Sequence, residues 1–240
     1  MNRLIKEYIE RHADLITEED WTTFYKDSDF GLGGSLVADL TRILLNAGIN
    51  PLENMKEVPN AYLVADQQIT SIELGGGITS IGRNAFFECE NLKEVLGTES
   101  LETIQSAAFS GCASLKEIHL PEGLQVIEEN AFSHTGLTSV HLPNSVTEVG
   151  NGCFRNCYKL KEIKFSTNLK LIRPGVCSNC PELEVAVIPE GAQAVQIRDA
   201  AFAGCVGLKD VYLPSTLVRT NFNESFFMSG ESFHVNMTEE

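Results

Sequence analysis

The sequence predicts an α/β repeat protein, in which stacked coils form a solenoid with a parallel sheet and a helical cap covers the N-terminal end. Three observations support this fold class. A motif recurs about every 23 residues, apolar and polar residues alternate within each repeat, and a helical pattern is confined to residues 1–60. The chain has 240 residues and is 43% hydrophobic, which is enough for a substantial core.

Residues 1–60 lack the repeat and show helical periodicity. The segment 4–16 places its apolar side chains on one helical stripe. Thr17 and Asp20 form a variant capping box before a second helix, and Ser35 can cap a third helix that ends at Gly48. Because the open end of a solenoid needs covering, we predict that residues 1–60 form a helical N-terminal cap.

From residue 61 onwards the chain repeats itself. Each unit reads A-F-x-x-C-x-x-L-x-x-I-x-L-P-x-x-L-x-x-I-G, and we call its second residue the anchor. Successive anchors lie 22 to 25 residues apart, with a deletion at "SHTGL" and an insertion in "EGAQAVQIRD". The pattern predicts about seven coils over 61–220 and a degenerate coil or cap over 221–240. The anchors are Leu63, in a weak first copy, and then Phe86, Phe109, Phe132, Phe154, Cys177 and Phe202.

Each part of the unit has a predicted structure. The segment L-x-x-I-x-L, as in Leu115, Ile118 and Leu120, predicts a short strand with alternate side chains inward. A proline ends this strand, and a second apolar pair, such as Leu124 and Ile127, returns to the core. The A-F-x-x-C segment is predicted to close the coil as a helical or tight turn. One unit cannot bury its own apolar face, so the coils must stack.

The L-x-x-I-x-L-P and I-G-x-x-A-F-x-x-C blocks, recurring in register over about 61–220, resemble the BspA-like (Treponema-type) class of leucine-rich repeats. This resemblance implies a right-handed leucine-rich repeat solenoid with a parallel sheet on its concave side. It also implies a largely non-catalytic protein binder. Surface members of the class carry export signals and bind host-matrix components, and "MNRLIKEYIERHADLI" has no such signal. A surface adhesin is therefore less favoured.

The segment "LLNAGINPLENMKEVPN", residues 44–60, looks like the lead-in of leucine-rich repeat proteins encoded by bacteriophages. That resemblance supplies an alternative hypothesis, a phage-encoded effector that inhibits or diverts a host defence protein. A third hypothesis, an enzyme with its site where the cap meets the first coil, has no positive support. The sequence contains neither G-x-S-x-G nor H-E-x-x-H, so we expect no enzyme, no cofactor and no metal.

The chain is acidic, with 33 acidic and 18 basic residues and a formal charge of −15. Nucleic acids and anionic membranes need clustered Lys and Arg, so neither is expected as a partner. No segment approaches the ~18 apolar residues of a membrane span. With no signal peptide and an odd number of cysteines, we expect a cytoplasmic protein of the bacterial host cytosol with free thiols.

The favoured function is recognition of a partner protein through the concave face, because core packing does not dictate the outward residues there. Acidic, imidazole and aromatic side chains mix on this face, as protein recognition requires. His119 and His141 share one repeat position, so we expect them on adjacent strands with Cβ atoms ~5 Å apart. A homo-oligomer formed through the uncovered C-terminal end stays an open alternative. The predicted partner-binding residues are Glu94, Glu117, His119, His141, Glu162, Lys164, Asp210 and Tyr212.

The cysteines "CFRNC" and "CSNC" allow two interpretations. Cys153, Cys157, Cys177 and Cys180 could bind zinc, or they could pack in the core as small residues. Packing is preferred, because Cys157 and Cys180 stand three residues after an anchor, a position that other coils also fill with cysteine. Cys177 replaces an anchor phenylalanine, which should leave a gap. We predict that a neighbouring side chain fills this gap or that the coil is locally loose.

Overall fold

The computed structural model describes residues 41, 45, 50–53, 55–192, 196–198, 200–215 and 234–237. The predicted helical cap over 1–60 lies outside these residues apart from 41, 45, 50–53 and 55–60. Of the predicted C-terminal unit, 221–240, only 234–237 is described. Within the described part of the chain, no helix has the length and apolar character needed to cross a membrane.

The coils contribute strands to two faces of a parallel solenoid, and paired residues lie 22 to 25 positions apart in the chain. The short-strand face begins ahead of the predicted boundary at residue 61. Its members are β1 (Glu57–Val58), β3 (Ser80–Ile81), β5 (Thr103–Ile104), β6 (Val126–Ile127), β8 (Glu148–Val149), β10 (Leu171–Ile172) and β12 (Gln196–Ile197). The long-strand face consists of β2 (Ser71–Glu73), β4 (Glu94–Leu96), β7 (Ser139–His141), β9 (Glu162–Lys164), β11 (Val185–Val187), β13 (Asp210–Leu213) and β14 (His234–Met237).

The core between the two faces is built from the repeated apolar positions. The anchor rings of Phe86, Phe109, Phe132 and Phe154 are fully buried and stack with centroids 5.3, 5.4 and 5.7 Å apart. Their planes are within 10° of parallel, because each ring occupies the same place in successive coils. The stack ends at Cys177, and the buried ring of Phe165 occupies space in that part of the core, in contact with Phe202. Phe165 is therefore the candidate for the neighbour that we predicted to fill this gap.

The A-F-x-x-C segments form a third edge of the solenoid, which we call the turn edge. Each is a tight turn rather than a helix, with a left-handed residue two positions before its anchor and another two positions after. This geometry lets anchor N–H groups bond to the next coil, as from Phe86 N to Ala108 O at 2.8 Å. The left-handed residues are Ala61, Ala65, Asn84, Glu88, Ala107, Gly111, Asn130, His134, Gly152, Asn156, Gly175, Asn179, Ala200 and Gly204.

The long-strand face is interrupted at residues 116–120, which form no strand. The predicted strand through Ile118 and Leu120 is therefore wrong, and both side chains are only partly buried. Gly97, directly after β4 on the N-terminal side of this break, has a φ of 74° and so also leaves the extended conformation. The interruption leaves a two-stranded sheet, β2–β4, and a five-stranded sheet in the order β14–β13–β11–β9–β7.

Candidate protein-binding surface

The five-stranded sheet arranges its outward side chains in two straight rows. Because the strands pair in parallel register and side chains alternate, equivalent positions of successive coils lie side by side. The first row contains Ser139, Glu162, Val185, Asp210 and His234. The second row contains His141, Lys164, Val187, Tyr212 and Asn236.

The middle of this surface is apolar and its margins are polar. Strand β11 reads Val-Ala-Val, with Ala186 buried inward and the half-buried Val185 and Val187 facing outward. Tyr212 adjoins Val187 in the next strand and is also half-buried. An apolar centre with a charged rim is the usual composition of a protein–protein interface.

Sequence reasoning did not include the two valines among the binding residues. The signal was present in the repeat alignment, since β11 alone among the described long strands is apolar at both outward positions. Without the register this signal did not show the neighbours of the two valines. The register places Val185 between Glu162 and Asp210. Val187 lies between Lys164 and Tyr212.

The rim contains weak, exposed charge pairs. His141 Nε2 lies 3.2 Å from Glu162 Oε1, and these side chains are 60% and 46% exposed. Asp210 Oδ1 accepts a hydrogen bond from Asn236 Nδ2 at 2.9 Å and lies 3.8 Å from His234 Nδ1. Exposed pairs of this kind contribute ~0–1 kcal/mol to stability, so folding does not explain their presence.

The predicted binding residues are divided by the interruption at 116–120. Glu94 lies on the two-stranded sheet next to Leu96, whose side chain is 46% exposed. Glu117 and His119 are exposed on the irregular segment between the sheets, so the expectation that His119 and His141 occupy adjacent strands is wrong. The five-stranded sheet brings together the remaining members: His141, Glu162, Lys164, Asp210 and Tyr212.

The cysteines lie in the core and away from this surface. In every coil that carries it, the ladder cysteine points its thiol at the anchor carbonyl of the preceding coil. Thr135 takes the equivalent position in the shortened coil, where its Oγ1 donates to Phe132 O at 2.8 Å. The thiol–carbonyl distances are 2.6 Å for Cys89–Leu63, 3.1 Å for Cys112–Phe86, Cys157–Phe132 and Cys180–Phe154, and 3.0 Å for Cys205–Cys177.

These contacts confirm the packing interpretation of "CSNC". Burial raises the pKa of the Cys89 thiol to about 12 and raises those of Cys112, Cys153 and Cys177 well above the usual 9.0. The thiolate is the form that attacks electrophiles and binds metals, so burial suppresses both reactions at these four thiols. Among the described residues, no group of three or more His, Cys, Asp or Glu side chains is arranged to hold a metal ion.

Comparison with known proteins agrees with this architecture. The model of the BspA type leucine rich repeat region matches six copies, at residues 56–184 and 172–239. A leucine-rich repeat protein of Treponema pallidum, TpLRR, is 30% identical, with 68% of this chain and 74% of that chain covered and a TM-score of 0.60.

The pneumococcal vaccine antigen PcpA shares the fold at 20% identity and a TM-score of 0.64. The match covers 77% of this chain and 45% of PcpA. No curated protein matches the sequence significantly. The repeat register, the parallel solenoid and the family match together show that the chain belongs to the BspA-type leucine-rich repeat family.

Proposed function

We propose that the protein is a non-catalytic binding module and that the five-stranded sheet of the long-strand face recognises a partner protein. The observation that carries this proposal is the apolar centre formed by Val185, Val187 and Tyr212, with the charged residues Glu162, Lys164 and Asp210 beside it. Leucine-rich repeat folds generally bind proteins, and this surface has the composition of an interface.

The centre of the surface is the expected hot spot. Tyrosine and aliphatic side chains supply contact area when they lose water, whereas the exposed pairs at the rim mainly influence specificity and association rate. Five strands spaced ~4.8 Å apart span only about 20 Å. Because a standard interface buries ~800 Å² per partner, the partner must also contact the residues beside the strands.

The charge of the chain favours a partner with a basic surface. Glu162 and Asp210 flank the apolar centre, and the net charge of −15 opposes binding to nucleic acid or anionic lipid. Lys164 lies in the row beside Val187, so the complementary surface should offer one acidic contact among basic ones.

Affinity capture from a lysate of the native host tests the proposal, with the wild type and Val187→Glu as bait. A carboxylate at the apolar centre should abolish capture of the partner that the wild type retains. The matched control is Gln125→Glu, which adds the same charge at an exposed position beside the short-strand face. Equal capture by all three baits would overturn the proposal.

The identity of the captured protein separates this role from its alternative. Recovery of a host defence protein would establish the phage-effector hypothesis as the specific form of this binding function. A set of captured proteins that Val187→Glu does not change would exclude the five-stranded sheet under either hypothesis.

A further inference from the structure

We infer that a groove on the turn edge binds a short neutral oligosaccharide. The groove has a volume of about 840 Å³ and crosses the coils anchored by Phe86, Phe109, Phe132 and Phe154. This volume lies within the ~300–1,000 Å³ of small-ligand sites. The groove is on a different edge of the solenoid from the proposed protein-binding surface, and the inference is independent of that surface.

The groove lies beside the deletion at "SHTGL". In the shortened coil Gly136 alone follows Thr135, where the preceding coil has Ala113 and Ser114. The chain at Gly136 lies so close to the preceding coil that a Cβ there would clash with the carbonyl oxygen of Ala113. The shortened coil contributes Asn130, Ser133 and His134 to the lining of the groove.

Small residues form the floor and large polar residues form the walls. The floor includes Ser110 and Ser133, both buried, whose hydroxyls hydrogen-bond to each other at 2.8 Å. Glu88 lies on the wall toward the N-terminal coils, and Arg155 and Tyr158 lie on the opposite wall. Tyr158 is 52% exposed, so its ring is accessible to a ligand in the groove.

The backbone at this edge cannot bind a peptide by strand addition. Its N–H groups already bond to the next coil, as from Glu88 N to Ser110 O at 2.7 Å and from Gly111 N to Ser133 O at 2.9 Å. His134 N likewise donates to Arg155 O at 2.9 Å. A peptide recognised by its main chain needs an unpaired strand edge, so recognition here must use side chains.

The side chains on the C-terminal wall are held in place. Asn156, which is buried, lies with its Nδ2 2.8 Å from His134 Nε2, and the His134 ring packs edge-on against Tyr158 at 6.4 Å. Asn156 donates this bond, so neutral His134 carries its proton on Nδ1 and can donate it to a ligand. Arg155 is exposed and has no salt bridge within the described part of the chain.

The distribution of charge selects a neutral ligand rich in hydroxyl groups. Glu88 and Glu90 offer acceptors on one wall, and Arg155 and His134 offer donors on the other. A sugar hydroxyl can donate to the carboxylates and accept from the guanidinium, and a sugar ring can pack its C–H face on Tyr158. A polyanion would meet the two glutamates and a chain of net charge −15.

Saturation-transfer difference NMR on the full chain tests this inference. The probes are four neutral trisaccharides, namely cellotriose, maltotriose, mannotriose and chitotriose, and one sulfated disaccharide. We expect at least one neutral trisaccharide to give saturation transfer. Tyr158→Ala should weaken its binding roughly tenfold, through the loss of one aromatic contact.

Two further variants make the test specific. Ala113→Tyr should fill the floor of the groove and abolish the saturation-transfer signal. The coil of Phe154 already carries a tyrosine, Tyr158, at the same repeat position, so the circular dichroism spectrum should stay unchanged. Val206→Ala is the matched control, because Val206 holds the same repeat position as Tyr158, is 50% exposed and lies outside the groove. Absence of transfer to every neutral probe, transfer to the sulfated probe alone, or equal transfer in Tyr158→Ala would overturn the inference.

Discussion

Phe165 packs edge-on against Phe202, with ring centroids 6.2 Å apart and ring planes at 84°, across the coil in which Cys177 replaces the anchor phenylalanine. Both rings are buried. Phe165 occupies the repeat position where other coils have the leucines Leu120, Leu142 and Leu213. We therefore expect the larger ring at 165 to compensate for the smaller side chain at 177, so that the two positions act as a pair.

This pairing predicts non-additive effects on stability. Cys177→Phe alone should destabilise by ~1–3 kcal/mol through overpacking, and Phe165→Leu alone should destabilise by leaving a void. The double variant restores the repeat consensus at both positions. Its loss in the free energy of unfolding should be ~0.5–3 kcal/mol smaller than the sum of the two single losses. Guanidinium denaturation of all four proteins measures this coupling. Additive losses would show that Phe165 does not fill the space beside Cys177.

A second prediction concerns the left-handed residues of the turn edge. Ala107 has a φ of 55°, and the equivalent positions of several other coils carry asparagine or glycine, as at Asn130, Gly152 and Gly175. The left-handed conformation destabilises a folded alanine by ~1–2 kcal/mol. Glycine avoids this cost but destabilises the fold by ~0.5–1 kcal/mol, because its unfolded chain has more conformational entropy. Ala107→Gly should therefore stabilise by ~0.5–1 kcal/mol. The neighbouring Ala108→Gly, at a buried site without positive φ, should destabilise. Stability changes of the same sign in both variants would contradict this account.

The buried thiols predict a loss of stability at alkaline pH. The pKa of Cys89 is raised by burial to about 12 in the folded chain, against a usual value of 9.0. Between these values the unfolded chain loses the thiol proton and the folded chain keeps it, so the free energy of unfolding falls as pH rises above about 9. Cys89→Ala should show a shallower decline in denaturation measured from pH 8 to pH 11. An identical slope in wild type and variant would exclude Cys89 as a contributor.

The same burial predicts slow chemical modification. All seven cysteines are buried and free, so a thiol reagent at pH 8 should react on the timescale of unfolding, and all seven should react at once in denaturant. Rapid modification of one cysteine in the folded protein would identify a thiol that the solvent reaches.

Neighbouring positions on β9 should separate stability from recognition. Glu162→Ala removes the exposed contact with His141 and should change the free energy of unfolding by less than ~1 kcal/mol. Ile163→Ala removes a fully buried side chain from the same strand and should cost ~2–5 kcal/mol. Denaturation of both variants checks the contrast, and a loss above ~2 kcal/mol in Glu162→Ala would show that the rim is structural.

The repeat alignment was sufficient to predict the coils, the parallel strands and the buried cysteine ladder, because each depends on contacts between equivalent positions of adjacent coils. It did not predict the break at 116–120. Residues 115–120 match the repeat consensus, so the alignment contained no sign of the break. For the same reason, the alignment overestimated the continuity of the predicted binding residues, which the break divides.

The sequence by itself determined the period, the anchors and the inward residues of this protein, because every coil of a solenoid repeats the same local structure. Only the tertiary structure decided how departures from the period combine. Phe165 reaches Phe202 across an intervening coil, Val185 lies between Glu162 and Asp210, and side chains of four coils line a groove beside Tyr158. Each of these depends on side chains from different coils meeting in space, and no single repeat contains that information.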